Sequence, residues 1–456
     1  MSNLVSPALS RRPLEYAPAT LSRARLRGRP WFSMVFLFIA FFLIQHDFYF
    51  SLLSHEGFSP SLGEFTEKVE DGNLLRRLVL IVVGCWGIVV TALYRERSDA
   101  IGNPWLGWLI RVFLVWSALS FAWSVDPGLT GRRIIVLSML CIGAYAISWR
   151  FSLRDFVVWV AVSSFGYLHV GILAELILGT FHPFSGEYRF SGTLHPNSQA
   201  INCALLLLAT GTQALESDRW RTVYLAVLLE ATVFLLLTKS RTCLVLTPLA
   251  PFLFWLLTER LPTKVAFSLL AAFIGTTAML GREVIVPLVT STLSSGRADS
   301  EMITLTGRIP LWSQLFRYIE QRPLLGYGYD SFWTSRYADT ILATQDWVVT
   351  QAHSTYVELL LSLGLVGLLL YVAISFGVVW VAVRYRRRGA SLDICLVGSL
   401  VIFALLNGLM ESVMIMSNMA TLVVMVGVSK LVFSLRASEL YNSSLQTDHP
   451  SPTGAP

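Results

Sequence analysis

"AHSTYVELLLSLGLVGLLLYV", residues 352–372, sets a histidine directly ahead of a long apolar run. A helix needs about 20 apolar residues to cross a hydrocarbon core of about 30 Å. The run therefore reads as a membrane helix, with His353 where the chain passes from water into lipid. Four roles are open to a titratable ring there: interfacial anchor, metal ligand, proton-relay group or catalytic base.

Blocks of the same kind recur at 31–51, 76–94, 105–123, 133–149, 156–179, 198–215, 221–238, 242–258, 264–281, 355–383, 392–411 and 416–435. Composition agrees: 54% of residues are hydrophobic and 14% charged, with mean hydropathy +0.60. Soluble domains run at about 45–50% apolar and about 25% charged. The blocks are continuous rather than alternating, which excludes a β-barrel and predicts helices throughout. The expected fold is an all-α polytopic membrane protein of about twelve transmembrane helices, each long enough to span. The first apolar run is itself of span length, so it reads as a signal-anchor and not a cleavable leader. Net charge of +6 does not point to nucleic acid, because the basic residues gather at helix ends. Cys85, Cys141, Cys203, Cys243 and Cys395 form no CxxC pair, so neither a disulfide framework nor a zinc site is indicated.

Arginine and lysine in short loops set the orientation. The N-terminal arm carries Arg11, Arg12, Arg23, Arg25, Arg27 and Arg29. Every second turn repeats the bias, at Arg95/Arg97, Arg150/Arg154, Arg219/Arg221, Arg260/Lys264 and "RYRRR" (384–388); Arg132/Arg133 is the main exception. Both termini are predicted cytoplasmic. The organisation expected is a basic arm (1–30), nine helices (31–281), a long periplasmic loop with short helices (282–354), three helices (355–435) and a disordered cytoplasmic tail (436–456).

Three segments then share the outer side: "FHPFSGEYRFSGTLHPN" (181–197), "TKSRT" (238–242) and the loop 282–354. Within the loop, Trp312, Leu315, Phe316 and Ile319 fall at helical spacing, which gives an apolar face suited to a lid or a surface helix. Arg189 and Arg241 offer planar forks of donors that match phosphate oxygens. A lone interfacial arginine is by default a headgroup anchor, but positive charge in a tight outer turn puts the functional reading of Arg241 on an equal footing. His353 lies two residues before a helix whose "TYVE" start fits a capping box, Thr355 at the N-cap and Glu358 at N3. The dipole's positive end and nearby arginines disfavour imidazolium, as a general base requires. On the residues alone, a plain interfacial histidine remains the favoured reading, with the base second. His182 and His195 match no standard ligand spacing, so no metal is expected. Arg111, Glu175 and Glu230 lie within apolar runs and are expected to face the bundle interior, as structural ion pairs or a transporter's proton path.

"RFSGTLHPNSQA", "TKSRT", "TGRIPLWSQLFRYIEQRPLLGYGYDSFW" and "AHSTYVELLLSLGLVGLLL" together resemble the O-antigen ligase and polymerase superfamily of bacterial envelope glycosyltransferases. The likeness covers roughly residues 185–380. It implies a GT-C-like, inverting, metal-independent glycosyltransferase of the bacterial inner membrane that needs no cofactor. Its donor would be a glycan on undecaprenyl diphosphate, and its acceptor a glycan or lipid A-core. Chain-length regulator and flippase proteins are implied partners. On this analogy Arg189 and Arg241 grip the diphosphate, Arg308 binds donor or orders the lid, and His353 deprotonates the acceptor hydroxyl. "SGTLHPN" departs from the commoner family pattern, which leaves the role of His195 open. The expected function is polymerisation of lipid-linked repeat units of exopolysaccharide or O-antigen. Alternatives are an O-antigen ligase and, from another class, a twelve-helix secondary transporter; no repeat relating the two halves supports the latter.

Overall fold

The computed structural model describes residues 31–45, 73–93, 100–185, 188–269, 308–342, 349, 351–412 and 417–440. The N-terminal arm, the acidic outer loop, most of the predicted ninth span, the first part of the long loop and nearly all of the tail lie outside the described residues. The helices are α1 (Trp31–Gln45), α2 (Leu74–Leu93), α3 (Pro104–Leu119), α4 (Pro127–Arg150), α5 (Leu153–Leu178), α6 (Pro196–Glu216), α7 (Arg221–Leu237) and α8 (Arg241–Thr258). They continue as α9 (Arg308–Gln321), α10 (Ser335–Leu342), α11 (Thr355–Arg387), α12 (Asp393–Asn407), α13 (Met419–Ser429) and α14 (Ala437–Leu440). Among the described residues, six helical segments are long and apolar enough to cross a membrane: Leu74–Leu93, Pro104–Trp123, Pro127–Arg150, Leu153–Leu178, Arg241–Thr258 and Thr355–Arg387. A polytopic all-helical membrane protein follows, because in lipid a helix satisfies its own backbone.

Local chemistry marks where these helices start and stop. Proline occupies the first turn of α3, α4 and α6, where a missing N–H costs nothing. Ser152 and Asp155 close a reciprocal capping box on α5, and Gly179 ends that helix in the left-handed conformation.

The turns sort into two ends. At one end Lys430 Nζ donates to the Ser148 and Phe151 carbonyls, Ser391 Oγ to Glu216, and Arg387 to the Leu257 carbonyl. This is the arginine-rich set of turns. At the other end the helices of the long loop form a small core of their own, with Leu311, Leu315, Ile319, Phe332, Trp333 and Leu361 buried together. Here the expected apolar face of α9 is corrected in part. Leu311 joins Leu315 and Ile319 inside, and Trp312 donates to the Ala352 carbonyl at 2.8 Å, while Phe316 is exposed. Arg133, an exception to the charge pattern, has a local cause at this end: it pairs with Asp330 at 3.0 Å.

α11 is not the uninterrupted run expected. Gly364 adopts φ 66°, ψ −166° and splits it. At 1.5 Å per residue, residues 365–387 alone cover about 34 Å, enough for the membrane. Residues 355–363 pack instead with the helices of the long loop. The backbone groups released at the break are taken up by the loop: Leu365 N–H donates to the Pro323 carbonyl at 2.8 Å, Tyr327 N–H to Leu361 at 2.7 Å and Gly328 N–H to Ser362 at 3.0 Å. Irregular backbone at membrane depth is tolerated only where protein satisfies it in this way.

Candidate active site

Arg189 is placed by a buried carboxylate. Glu175, near the end of α5, accepts the Ser191 and Gly192 N–H groups at 2.9 and 2.7 Å and the Tyr188 hydroxyl. This fixes the turn on either side of Arg189, so Glu175 acts as a hydrogen-bond hub and not the ion pair expected. Of the other expected interior charges, Glu230 pairs with His169 at 3.2 Å. Arg111 is exposed and stacks on Trp108. Arg189 Nε donates to the Thr238 carbonyl at 3.0 Å, and Phe190 N–H to Leu237 at 2.9 Å. The Arg189 segment is thus joined to the "TKSRT" turn, in which Lys239 takes φ 51° and Arg241 opens α8.

From there the network crosses the site. Arg189 Nη2 donates to Asn197 Oδ1 at 3.1 Å, and Asn197 Nδ2 donates to Glu411 Oε1 at 2.9 Å. Arg308, the first residue of α9, donates to the same Glu411 oxygen at 3.1 Å and to the Met410 carbonyl. His353 holds φ 51° with Nδ1 3.6 Å from Glu411 Oε2, a contact longer than a normal hydrogen bond. Burial pushes the Glu411 carboxyl up, but the His353 ring and the Arg308 guanidinium outweigh it and hold it below its ordinary value.

Residues 224–372 match the family model described as O-antigen ligase. That segment is similar to the O-antigen ligase family. It is also similar to the exopolysaccharide production protein ExoQ of Rhizobium meliloti (strain 1021), at 25% identity over 311 residues, covering 64% of this chain and 68% of the relative. Both likenesses are of the O-antigen ligase and polymerase kind, and the apolar helices agree with a membrane protein.

The matched segment contains Arg241, Arg308 and His353, whereas Arg189, His195, Asn197 and Glu411 fall outside 224–372 and are joined to it by folding. His195 caps α6, its Nδ1 accepting the Asn197 N–H at 3.2 Å. Burial, and then the Arg189 charge, lower its pKa, so it stays neutral and positions Asn197. His182 is exposed in a turn closed by the Ser185 N–H. Among the described residues, no three His, Cys, Asp or Glu side chains are grouped as a metal site.

The capping box expected at Thr355 is corrected. Ser354 is the N-cap, with no side-chain cap bond, and Thr355 instead donates through Oγ1 to the Glu411 carbonyl at 2.9 Å. Glu358 accepts the Ala352 N–H at 2.5 Å and Trp333 Nε1 at 3.0 Å. It ties the chain before His353, and the long loop, to the first part of α11. Glu411 escapes sequence reasoning because the apolar run extends to it; the available signal is an acidic residue ending such a run on the side that carries the arginines.

Proposed function

We propose that this protein is a metal-independent, inverting glycosyltransferase that polymerises undecaprenyl-diphosphate-linked repeat units of exopolysaccharide or O-antigen at the periplasmic face of the inner membrane. Twelve spans in a GT-C-like arrangement, with both termini cytoplasmic, belong to the same reading. One observation carries it: Arg189, Arg308 and His353, far apart in sequence, meet through Asn197 and Glu411 at one end of the bundle. Arg241 stands at the adjoining helix start. Three guanidiniums against one carboxylate leave surplus positive charge, which suits a diphosphate.

In this scheme His353 takes the proton of an acceptor hydroxyl as its oxygen attacks the anomeric carbon from the face opposite the phosphate. The carbon–oxygen bond to the diphosphate breaks, and the electron pair leaves with the lipid diphosphate. Arg189 and Arg241 stabilise the charge that develops there. Arg308 adds charge from the edge while tying the long loop to the bundle. Removing a general base typically costs about 10²–10⁴-fold. His353→Ala is therefore expected to lose transfer by that factor while still inserting and binding donor; full transfer by this variant would reduce His353 to an anchor.

The likeness to an exopolysaccharide production protein favours polymerase, and the O-antigen ligase description of the matched domain favours ligase. Cells lacking the protein separate the two. A polymerase defect leaves single repeat units on carrier lipid, whereas a ligase defect leaves long polymer on undecaprenyl diphosphate. Recovery of long lipid-linked polymer overturns the preferred reading.

A further inference from the structure

Glu411 joins three segments of the site. Oε1 accepts from Arg308 at 3.1 Å and from Asn197 at 2.9 Å, and Oε2 faces His353 Nδ1 at 3.6 Å. Its backbone carbonyl is held in turn by Thr355, whose hydroxyl donates to it at 2.9 Å and whose N–H donates at 3.2 Å. The carboxylate is therefore fixed relative to the start of α11 and the preceding histidine. A buried carboxylate is retained only where partners offset its lost hydration, and both oxygens of Glu411 have them. Contacts of this kind in unliganded sites are often long and tighten when substrate binds.

We infer that Glu411 is a positioning residue: it keeps the proton of His353 on Nδ1 and turns Nε2 toward the acceptor hydroxyl, and by sharing its carboxylate with Arg308 it couples the ring to the seating of α9. The inference rests on the reading of His353 as base. When the hydroxyl proton reaches Nε2 the ring becomes imidazolium, and Glu411 is the negative group that receives it. Other groups that face the pair are Arg308 from α9, Asn197 and His195 at the start of α6 with Arg189 beside them, and Cys243 in α8.

The test is the pH dependence of transfer by the full chain in proteoliposomes. The substrate is the lipid-linked glycan isolated from cells lacking the protein. Activity falls on the acid side as His353 is protonated. Glu411→Gln removes a negative charge, makes imidazolium harder to form and moves the acid limb to lower pH. It is also expected to lower kcat by about 10²-fold, the low end for loss of a general base, with little change in donor KM. Arg308→Gln removes a positive charge and moves the limb the opposite way, to higher pH. Glu411→Asp keeps the charge and is expected to leave the limb near its original place.

Opposite shifts from the two glutamine variants support the coupling. Acid limbs that stay in place in both overturn it and leave Glu411 as a brace for Arg308. If Glu411→Gln fails to insert, the sign of the Arg308→Gln shift decides alone. An active His353→Ala protein sinks the base reading and this inference together. An inactive His353→Ala protein with unmoved limbs in the other variants sinks only the inference.

Discussion

Arginine is demanded at the site for its shape as well as its charge. Arg189 uses Nε on the Thr238 carbonyl and Nη2 on Asn197, two directed bonds that a lysine ammonium on a flexible stem cannot make together. Arg189→Lys is accordingly expected to lose most transfer and to weaken binding of the lipid-linked donor, and Arg241→Lys to behave likewise. Donor binding to the purified protein and transfer rate are the measurements; full activity in both variants would make them surface anchors. Arg189, Arg241 and His353 could be singled out in the sequence because charge or a titratable ring beside an apolar run is conspicuous. Glu411 could not be weighed in that way. Its significance depends on Arg308, Asn197 and His353 folding against it, and no local pattern records those partners.

At the scale of the element, hydropathy locates helices well because lipid leaves the backbone few alternatives. It does not report where a helix is broken. The "LSLGLVG" stretch reads as a continuous apolar run, yet Gly364 holds φ 66° and the Leu324 carbonyl would lie 2.2 Å from a Cβ there. Left-handed backbone costs an L-residue about 1–2 kcal/mol, and the overlap with Leu324 adds to that. Gly364→Ala is thus expected to destabilise the protein by at least that amount and to unseat the "PLLGYGY" segment from α11. Gly211→Ala is the control. That glycine lies within α6, and a Cβ added to it would meet nothing within 4 Å, while alanine gains roughly 1 kcal/mol of helix propensity. Thermal unfolding in detergent compares the two; equal stability of both variants with the parent would mean that the break is not needed.

For the whole molecule, both ends expose some arginines and hold others in ion pairs or hydrogen bonds. The arginine-rich end presents exposed Arg219, Arg387 and Arg388. At the site end, Arg133 pairs with Asp330 and Arg308 with Glu411, while Arg189 donates to Asn197 and the Thr238 carbonyl. A positive charge that is neutralised or engaged in this way is compatible with an outer loop, which is how Arg133 can break the charge rule without reversing the helix. The sidedness expected from loop charges then has a direct test. Single cysteines in a background without Cys85, Cys141, Cys203, Cys243 and Cys395 are exposed to an impermeant maleimide in intact spheroplasts. Cysteine at 182 or 241 is expected to react at once, and cysteine at 219 or 388 only after permeabilisation. If position 241 labels only after permeabilisation, the "TKSRT" turn lies on the inner side. The diphosphate could not then be held jointly by Arg189 and Arg241 at an outer surface, and the composite site would have to be abandoned.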